Sequence, residues 1–247
     1  MEGTAVPRRL TWEVATVSAA TWETPSVRTI GLDVPAWPGH RAGQHLDVRL
    51  TAEDGYSAER SYSIASATDD PVAITVERLD DGEVSPYLTE DVRVGDELEI
   101  RGPVGGYFAW EAADGGPLLL AGGGSGIVPL RAILRQREHS GSDTPVRLLY
   151  SARTLPELIY RDELDRHHDG VEIIYTLTRE QPAGWTGYAR RVDRALLAET
   201  AWSAGKNPLA FVCGPTSFVE TVAGGLVALG YEPGRVKTER FGGTGGR

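Results

Sequence analysis

The stretch PLLLAGGGSGIVPLRAILRQREH, residues 117–139, decides the fold of half of this 247-residue chain. An apolar run of strand length leads into three consecutive glycines, and helical spacing begins at Pro129. Glycines let backbone N–H groups approach an anion closely, and the first turn of a helix adds partial positive charge. The order of strand, glycine loop and helix therefore favours a phosphate-binding loop within residues 121–130, with a plain strand–helix turn as the alternative.

Other motifs that contain glycine match this chain less well. Read from Gly124, the dinucleotide pattern G-x-G-x-x-G has Pro129 in its third glycine position, where proline still suits the first helical turn. The nucleophile elbow G-x-S-x-G fails because Ile127 stands in its last position. A phosphate loop of the G-K-[ST] type fails because Asn207 follows Lys206.

The residues after the loop alternate between two periodicities. Apolar runs of strand length recur at VRLLY (146–150), VEIIYTL (171–177), 209–213 and 235–239, and helical spacing recurs at 155–167, 192–200 and 216–229. Near-continuous apolar strands separated by helices are typical of a parallel, doubly wound sheet that is covered on both faces. We therefore predict a Rossmann-like α/β domain with a five-stranded parallel sheet in the second half of the chain.

The first half has the period of β-strands. Apolar residues alternate with other residues at 30–34, 46–50 and 72–76, and turn signals separate these stretches. Short strands at this spacing indicate a small antiparallel barrel or sandwich. One short helix is expected at 85–91, where Ser85 suits the N-cap and Pro86 suits the first helical position. The boundary between the halves is expected near residues 110–116.

Composition and charge exclude several classes of protein. The formal net charge of −10 argues against nucleic acid as the main partner. The charge is concentrated, since residues 1–115 carry 9 basic and 21 acidic residues and residues 116–247 carry 16 basic and 14 acidic residues. This charge distribution has two explanations. It either serves only solubility, or it reflects a second domain that accepts an anionic ligand.

The single cysteine and the hydropathy of the chain exclude further classes of protein. A single cysteine excludes a disulfide framework, a Cys-rich zinc site and a four-cysteine iron–sulfur cluster, and we expect no metal. No apolar run reaches the roughly 18 residues of a membrane span. No apolar signal core opens the sequence, so we expect a cytoplasmic protein.

A polar string, R-S-Y-S at residues 60–63, stands on one of the predicted strands of the first half. Side chains on a strand alternate between faces, so Arg60 and Tyr62 share one face. An arginine can hold a phosphate while a phenol ring lies against a flat heterocycle, and Ser63 adds a donor beside that plane. The turn GEVSP (82–86) enters the predicted short helix and offers a second anion site. Two anion sites suggest a diphosphate ligand, and an ordinary strand with an exposed charge is the alternative.

The end of the second parallel strand bears on nucleotide choice. Dinucleotide-binding domains place an acid there for a ribose 2′-OH and an arginine for a 2′-phosphate. Here Ser151 and Arg153 occupy this place, no acid precedes Glu157, and Arg179 follows the third strand. These residues favour NADPH over NADH, with solvated arginines as the plain alternative.

Taken in order, these motifs resemble the ferredoxin–NADP⁺ reductase superfamily of flavoenzymes over about residues 8–241. R-x-Y-S, Gly-x-x-Ser, the GGGSG loop, Cys-Gly-Pro at 213–215 and Glu-x-aromatic at 239–241 occur in the family's sequence order. The chain looks most like the compact bacterial two-domain reductases that lack a fused iron–sulfur module. The resemblance implies a six-stranded antiparallel FAD-binding β-barrel over residues 8–112 and an NAD(P)-binding α/β domain over residues 113–247.

The resemblance also assigns roles to individual residues. Arg60 is expected to contact the FAD phosphates, Tyr62 to pack on the isoalloxazine and Ser63 to lie near flavin N5. The remaining FAD-binding residues are expected to be Ser61, Gly82, Val84 and Ser85, of which Gly82 and Ser85 line the pyrophosphate. The residues expected at the nicotinamide dinucleotide are Gly124, Ser125 and Gly126 at its pyrophosphate, Ser151, Arg153 and Arg179 near its 2′-phosphate, and Cys213, Gly214 and Pro215 at its nicotinamide.

The implied reaction is reversible hydride transfer between nicotinamide C4 and flavin N5, with Ser63, Cys213 and Glu239 as the catalytic set. The cofactors supply the chemistry, while the protein sets distance and electrostatics. Ser63 would hydrogen-bond N5, and Cys213 would pack under the nicotinamide rather than act as a nucleophile. Glu239 would relay a proton or orient Ser63. A buried structural thiol and a solvent-exposed acid are the plain alternatives for Cys213 and Glu239.

Phe241 matches the aromatic residue that lies near the flavin in the family. In plant-type members this residue ends the chain and covers the flavin, whereas residues 242–247 follow it here.

Electrons are expected to leave the flavin for a separate acceptor, because a single cysteine provides no cluster in this chain. The expected acceptors are a ferredoxin, an oxygenase component, a small quinone or free flavin. An acidic barrel would repel an acidic ferredoxin unless arginines such as Arg8, Arg9 and Arg41 guide docking. Two further interpretations stay open: a non-catalytic flavin- and nucleotide-binding subunit of a larger redox complex, and an NADH-specific diaphorase-type enzyme.

Overall fold

The first half of the chain folds into an antiparallel barrel in the computed structural model, which describes residues 10–166 and 168–241. The strands are β1 (Glu13–Thr24), β2 (Val27–Asp33), β3 (His45–Thr51), β4 (Ser57–Ser63), β5 (Ala73–Glu77) and β6 (Glu97–Val104). They form one six-stranded sheet in the order β4-β3-β6-β1-β2-β5. A bridge between Ile64 and Ile74 joins the two outer strands and closes the barrel. The predicted six-stranded antiparallel barrel is therefore confirmed.

The barrel strands form because their apolar residues alternate and share the inward face. Ile30 and Leu32 are buried on β2, and Leu46 and Val48 are fully buried on β3. All four belong to one buried cluster inside the barrel. The intervening residues are polar or partly exposed, so the period of two that was visible in the sequence marks the inner face.

Two barrel strands, β1 and β6, carry a weaker signal, and the sequence pattern did not identify them. The buried apolar side chains at the start of β1 are Ala15 and Val17. Register shifts interrupt its pairing with β2 after Val17 and after Trp22. Because each bulge breaks the period of two, the alternation fades along this 12-residue strand.

The second half forms a parallel sheet. Its strands are β7 (Leu118–Gly123), β8 (Val146–Ala152), β9 (Val171–Leu177), β10 (Leu209–Pro215) and β11 (Val236–Phe241). The order β11-β10-β7-β8-β9 places the first strand at the centre, and all the pairings are parallel. The chain runs outward from β7 to β9 and then adds β10 and β11 on the other side. Such a reversal opens a crevice at the carboxyl ends of the two neighbouring strands, here β7 and β10.

Helices cover both faces of this sheet. They are α1 (Ile127–His139), α2 (Arg161–Leu164), α3 (Arg194–Thr200) and α4 (Thr216–Ala228). Leu118 and Leu120 of β7 belong to the same buried cluster as α1, whereas Leu119 and Ala121 belong to the cluster of α3 and α4. Successive residues of one strand enter opposite cores, which is why the strand is a continuous apolar run. The predicted doubly wound α/β sheet is confirmed.

The segment 155–167, which was predicted to be helical, folds differently. It contains a 3₁₀ turn at Leu155–Glu157 and the single-turn helix α2, and His167 lies outside the described residues. Tyr160 separates the two pieces with a φ of 60°, a left-handed conformation that cannot continue an α-helix. The apolar spacing of the segment therefore reflects packing of two short pieces and not one helix.

The short helix after the first glycine turn also differs in detail. It is a π-helix, Tyr87–Asp91, and Pro86 stands at its N-cap rather than at its first helical position. Ser85 does not cap it, because the Ser85 hydroxyl accepts a hydrogen bond from the backbone N–H of Leu79 at 3.1 Å. The serine therefore stabilises the preceding turn.

The two halves share a seam with apolar and polar contacts. At the seam, Arg131 of α1 donates to the backbone carbonyl of Ala65 at 2.9 Å, and the Tyr160 hydroxyl donates to the Thr75 hydroxyl. Residues of the first half that belong to the buried cluster around α1 are Val27, Ala42, Ala65, Phe108 and Trp110.

The two sheets lie on either side of residues 105–117, and the exact domain limits, 8–112 and 113–247, stay a prediction. None of the helices in the described ranges has the length and apolar character that a membrane span requires.

Candidate functional site

A cavity of about 590 Å³ lies at the seam between the barrel and the parallel sheet. It brings together motif residues that are up to about 180 positions apart in the sequence. The lining residues are His45, residues 60–63, Thr75, Glu77, Leu79, residues 82–85, Ser125, Val128 and residues 239–241. Both halves of the chain therefore contribute to this one site.

Strand β4 carries the R-S-Y-S string to the cavity. Arg60, Tyr62 and Ser63 all line it. Ser61 also contributes to the lining, but its hydroxyl donates to the Asp47 carboxylate at 2.6 Å. Burial raises the pKa of the Tyr62 phenol well above its ordinary value, so the ring stays neutral and offers a flat wall.

The turn before the π-helix forms another wall. A Cβ added to Gly82 would lie 2.9 Å from the Ser85 hydroxyl and 3.0 Å from the backbone carbonyl of Leu79, so glycine keeps this turn tight. Val84 contributes to the cavity lining, and its side chain is fully buried in the barrel core. A compact turn without a projecting side chain at Gly82 leaves room for a bulky anion beside it.

Arg60 is paired across this wall. Its guanidinium lies 3.3 Å from the Glu83 carboxylate, and the Tyr56 hydroxyl donates to the same carboxylate at 2.7 Å. The Arg60 and Glu83 side chains are both about half exposed, and exposed ion pairs contribute little stability. A phosphate that forms two charge-assisted hydrogen bonds can therefore compete for this arginine.

Glu239 and His45 also line the cavity, and Cys213 lies next to Glu239 on the neighbouring strand β10. A Glu239 carboxylate oxygen lies 4.0 Å from the Cys213 sulfur, and its other oxygen lies 3.9 Å from His45 Nδ1. Burial raises the pKa of the Glu239 carboxyl to about 7. Burial and the nearby Glu239 charge raise the pKa of the Cys213 thiol well above its ordinary value. Near neutral pH the site therefore holds a carboxyl group that can gain or lose a proton and a thiol that stays protonated.

Sequence reasoning missed His45. It begins β3 and pairs directly with Ser63 on β4, and burial lowers the pKa of its imidazole. Its position beside both Ser63 and Glu239 depends on strand pairing and on the seam between the halves. The only signal in the sequence was its place at the start of the HLDVRL strand, which does not distinguish it from other polar residues of the barrel.

The glycine loop approaches the cavity from the second half. Gly124 has a φ of 56°, which favours glycine. A Cβ added to Gly126 would lie 2.1 Å from the Cys213 carbonyl oxygen, so the loop packs directly on the end of β10. Of the three predicted loop residues, only Ser125 is among the cavity lining, and its hydroxyl donates to the Glu77 carboxylate at 2.6 Å.

The ends of β10 and β11 lie side by side next to this loop. Gly214 pairs with Arg240, and Pro215 pairs with Phe241. Phe241 lines the cavity, whereas Cys213, Gly214 and Pro215 lie on the neighbouring strand β10 and are not part of the lining. The expected nicotinamide residues are therefore adjacent to the expected flavin site without entering it. Residues 242–247 lie outside the described residues.

The predicted nucleotide-selecting residues form a separate group. Ser151 is buried near the end of β8 and pairs with Gly123, the last residue of β7. Arg153 and Arg179 are exposed at the carboxyl ends of β8 and β9. The backbone N–H of Arg179 donates to the Arg153 carbonyl at 2.9 Å, so the two loops touch. None of the three lines the cavity.

A larger surface depression, of about 870 Å³, lies near the end of α1 and contains none of the predicted site residues. Its lining is dominated by charged side chains of both signs. Arg135 pairs with Asp70 and Glu163, and His168 pairs with Glu138. These contacts describe a solvated network of ion pairs, so we place the functional site at the seam instead.

The seam cavity fits a flavin dinucleotide. Tyr62 supplies a flat wall, Arg60 supplies a cation for phosphate, and the Gly82 turn leaves space beside it. Ser63 and Glu239 supply polar groups, and Phe241 supplies a second aromatic ring. These are the group types that hold a heterocycle with a diphosphate tail.

Comparison with protein families points to the same two ligands. Residues 15–109 match the family described as oxidoreductase FAD-binding domain. Residues 120–224 match the family described as oxidoreductase NAD-binding domain. The first match covers most of the barrel, and the second covers β7 to β10 with most of α4.

Individual relatives agree with this assignment. The chain is 31% identical over 232 residues to the glycine betaine monooxygenase reductase subunit of Chromohalobacter salexigens, covering 90% of this chain and 62% of that protein. It is 32% identical over 238 residues to the 3-ketosteroid-9-alpha-monooxygenase ferredoxin reductase component of Rhodococcus rhodochrous, covering 92% of this chain and 64% of that protein. This chain therefore spans less than two thirds of the length of either curated relative.

A solved structure matches nearly the whole chain. It is the flavohem-like FAD/NAD-binding domain of nitric oxide dioxygenase from Vibrio cholerae O1 biovar El Tor, with a TM-score of 0.84 and 26% sequence identity. The match covers 94% of this chain and 99% of that chain. The relative arrangement of barrel, seam and parallel sheet is thus shared with a two-domain flavin and nicotinamide module.

Proposed function

Because the chain belongs to the ferredoxin–NADP⁺ reductase superfamily and combines its FAD-binding and NAD-binding domains, we propose that it is an FAD-dependent NAD(P)H reductase. When bound, FAD supplies the chemistry, taking hydride from NADPH and passing electrons on to a separate acceptor. The observation that carries the proposal is the seam cavity, which is lined by the R-S-Y-S strand, the Gly82 turn, Ser125 and the Glu239–Phe241 strand end.

On this proposal the barrel residues bind and orient the flavin. Tyr62 packs against the ring system, and Arg60 exchanges its exposed pair with Glu83 for a phosphate. Ser63 is the polar residue of β4 nearest to His45 in the strand register, and it donates a hydrogen bond to the flavin ring. Each of these residues fixes position, and holding the reacting groups in the right geometry contributes substantially to the rate of hydride transfer.

Glu239 holds a proton in the cavity, next to His45. Its pKa of about 7 lets the carboxyl group exist in both protonation states near neutral pH. A group with a pKa near the working pH is suited to proton transfer. His45 and the Cys213 thiol lie on either side of it, and the thiol acts through packing because its pKa is raised.

The proposed electron donor is NADPH. Arg153 and Arg179 lie together at the ends of β8 and β9, where a 2′-phosphate is bound in domains of this topology. Their exposed guanidinium groups support this choice over NADH. The second candidate, an NADH-specific diaphorase-type enzyme, differs only at Ser151 and Arg153.

The proposed acceptor is an oxygenase component. Two relatives are described as reductase subunits or components of monooxygenases, which supports a separate acceptor protein for this chain. A ferredoxin, a small quinone and free flavin are the alternatives. Arg41 pairs with Glu111 on the surface of the barrel side, and Arg8 and Arg9 lie outside the described residues. We also propose a cytoplasmic location, because NADPH is the expected donor.

The experiment that tests the function is anaerobic reduction of the FAD-loaded protein. The protein should be yellow, and NADPH should bleach its flavin absorbance. Turnover is then measured with NADPH and a panel of acceptors that includes ferredoxin and oxygenase components from the same source. A protein that does not bind FAD, or whose FAD neither nucleotide reduces, would contradict the proposal. Reduction without turnover on any acceptor would favour a non-catalytic subunit.

A further inference from the structure

A hydrogen bond joins the glycine loop to the barrel inside the seam cavity. The Ser125 hydroxyl donates to the Glu77 carboxylate at 2.6 Å. Ser125 stands in the short 3₁₀ turn Gly124–Gly126, and Glu77 is the last residue of β5. Both residues line the cavity, so the bond crosses the space where ligands of the two halves meet.

The two partners of this bond have limited hydrogen-bonding capacity. A serine hydroxyl has one proton to donate, and a carboxylate only accepts. The phosphate groups of a dinucleotide also only accept at neutral pH. Ser125 can therefore donate to Glu77 or to a phosphate, but not to both, and a carboxylate beside a phosphate repels it.

The polar and charged side chains next to Glu77 are engaged with other partners. Arg78, the next residue along the chain, is paired with Asp80 and Glu90 on the opposite face of the strand end. In the described part of the chain, the nearby salt bridges pair Arg60 with Glu83 and Arg78 with Asp80 and Glu90, and none of these three includes Glu77. The Thr75 hydroxyl, two residues earlier on the same face, already bonds with Thr29 and Tyr160.

We propose that Glu77 is an affinity-determining residue for the nicotinamide dinucleotide, because its carboxylate occupies the Ser125 donor that the ligand's pyrophosphate needs. This inference rests on the proposed function. Binding of the dinucleotide exchanges the Ser125–Glu77 bond for a bond from Ser125 to phosphate. The exchange weakens binding of the dinucleotide and speeds its release, and it acts only on ligands that bring a pyrophosphate to the loop.

The first test measures affinity by isothermal titration calorimetry on the FAD-loaded protein. Glu77→Gln keeps the size of the side chain and turns a charge-assisted hydrogen bond into a neutral one, so NADP⁺ should bind about fivefold more tightly. Glu97→Gln removes a charge from an exposed residue of β6 outside the cavity and should leave the affinity unchanged. Adenosine 2′-monophosphate, which lacks a pyrophosphate, should bind wild type and Glu77→Gln equally.

A double-mutant cycle separates this mechanism from a general structural effect. In a Ser125→Ala background, the gain from Glu77→Gln should fall below about twofold, since the contested donor is gone. A full gain in that background would overturn the competition for Ser125. Should Glu77→Gln fail to retain FAD, Glu77→Asp offers the second variant: its shorter side chain retracts from Ser125, and NADP⁺ should again bind more tightly.

The outcomes distinguish this inference from the proposed function. Equal NADP⁺ affinity in wild type, Glu77→Gln and Glu77→Asp would overturn the role of Glu77 and leave the reductase proposal intact. Failure of every FAD-loaded variant, and of the wild type, to bind either NADP⁺ or NAD⁺ would overturn both. Equal tightening for adenosine 2′-monophosphate would show a long-range charge effect and would also overturn the role assigned to Glu77.

Discussion

Replacing Glu239 by Gln is expected to stabilise the flavin-free protein at about pH 8 and to change its stability little at about pH 5. Burial raises the pKa of the Glu239 carboxyl from 4.5 to about 7. Between these values the folded chain keeps a proton that the unfolded chain has released, so stability falls as the pH rises. The penalty is absent below pH 4.5 and complete above about pH 7.

The size of the effect follows from the same two values. One pKa unit corresponds to about 1.4 kcal/mol, so the difference between 4.5 and about 7 gives a penalty of about 3 kcal/mol at high pH. At about pH 5 the same relation leaves under about 1 kcal/mol. The side chain is 24% exposed, so solvent screening reduces this figure only modestly. Glutamine has the same shape and no charge, and the variant therefore avoids the penalty.

The assay is urea unfolding, followed by circular dichroism, of wild type and Glu239→Gln at both pH values. The lowered pKa of His45 adds a pH dependence of its own, so only the difference between the two proteins is interpreted. Glu97→Gln serves as the control for removing an exposed carboxylate. If the unfolding free energies of wild type and Glu239→Gln differ by the same amount at both pH values, Glu239 is not a buried group that holds a proton.

Three further substitutions, the first with a control at Gly224, test the glycine loop, the proposed FAD-phosphate site and the proposed 2′-phosphate site. Gly126→Ala should cost roughly 1–3 kcal/mol of unfolding free energy, because its Cβ would lie 2.1 Å from the Cys213 carbonyl oxygen. Gly224→Ala in α4, whose Cβ meets nothing within 4 Å, should instead be neutral or stabilising in the same urea titration. Arg60→Ala should lower FAD occupancy, measured from the flavin absorbance per protein, before it alters the rate of flavin reduction; full occupancy would remove Arg60 from the phosphate site. Arg153→Ala should raise the KM for NADPH roughly 10- to 150-fold through the loss of a charged hydrogen bond and leave NADH nearly unchanged, whereas equal losses for both nucleotides would remove its selecting role.

The two folds were predictable because each half repeats one simple pattern. The continuous apolar run before the glycine loop predicts a strand that is buried on both faces, and β7 sends Leu119 and Leu120 into opposite cores. The alternation at 46–50 predicts a strand with one buried face, and Leu46 and Val48 are fully buried on it. Patterns of this kind depend on neighbours in the sequence, so they survive without knowledge of tertiary contacts.

The predictions of local structure were wrong where contacts with other residues override a sequence signal. Tyr160 interrupts a segment with good helical spacing. Its ring is contacted by Arg131 of α1, and its hydroxyl is held by Thr75 across the seam. Serine is a residue type that often caps helices, yet the Ser85 hydroxyl accepts a hydrogen bond from the backbone N–H of Leu79. The Thr75 partner of Tyr160 lies far away in the sequence, whereas the Leu79 partner of Ser85 lies in the preceding turn, which a cap motif read forward from Ser85 does not examine.

The candidate site divides in the same way. Arg60, Tyr62 and Ser63 were identified because they form one short string on one strand. His45 and Glu77 reach the cavity through strand pairing and through the seam, and no motif contains them. Sequence reasoning therefore found the residues that belong to contiguous motifs and missed those that the fold brings alongside them.

The contact between Arg131 and the Ala65 carbonyl has a consequence for protein engineering. Ala65 is fully buried, and its carbonyl accepts from a side chain that belongs to the other half of the chain. A chimera that joins this barrel to a foreign nucleotide domain would leave that carbonyl without its donor unless the foreign helix supplies an equivalent arginine, and an unpaired buried acceptor costs about 1–3 kcal/mol. Cofactor preference is therefore expected to be exchangeable by swapping whole halves only when the foreign nucleotide domain carries an arginine at the position equivalent to Arg131.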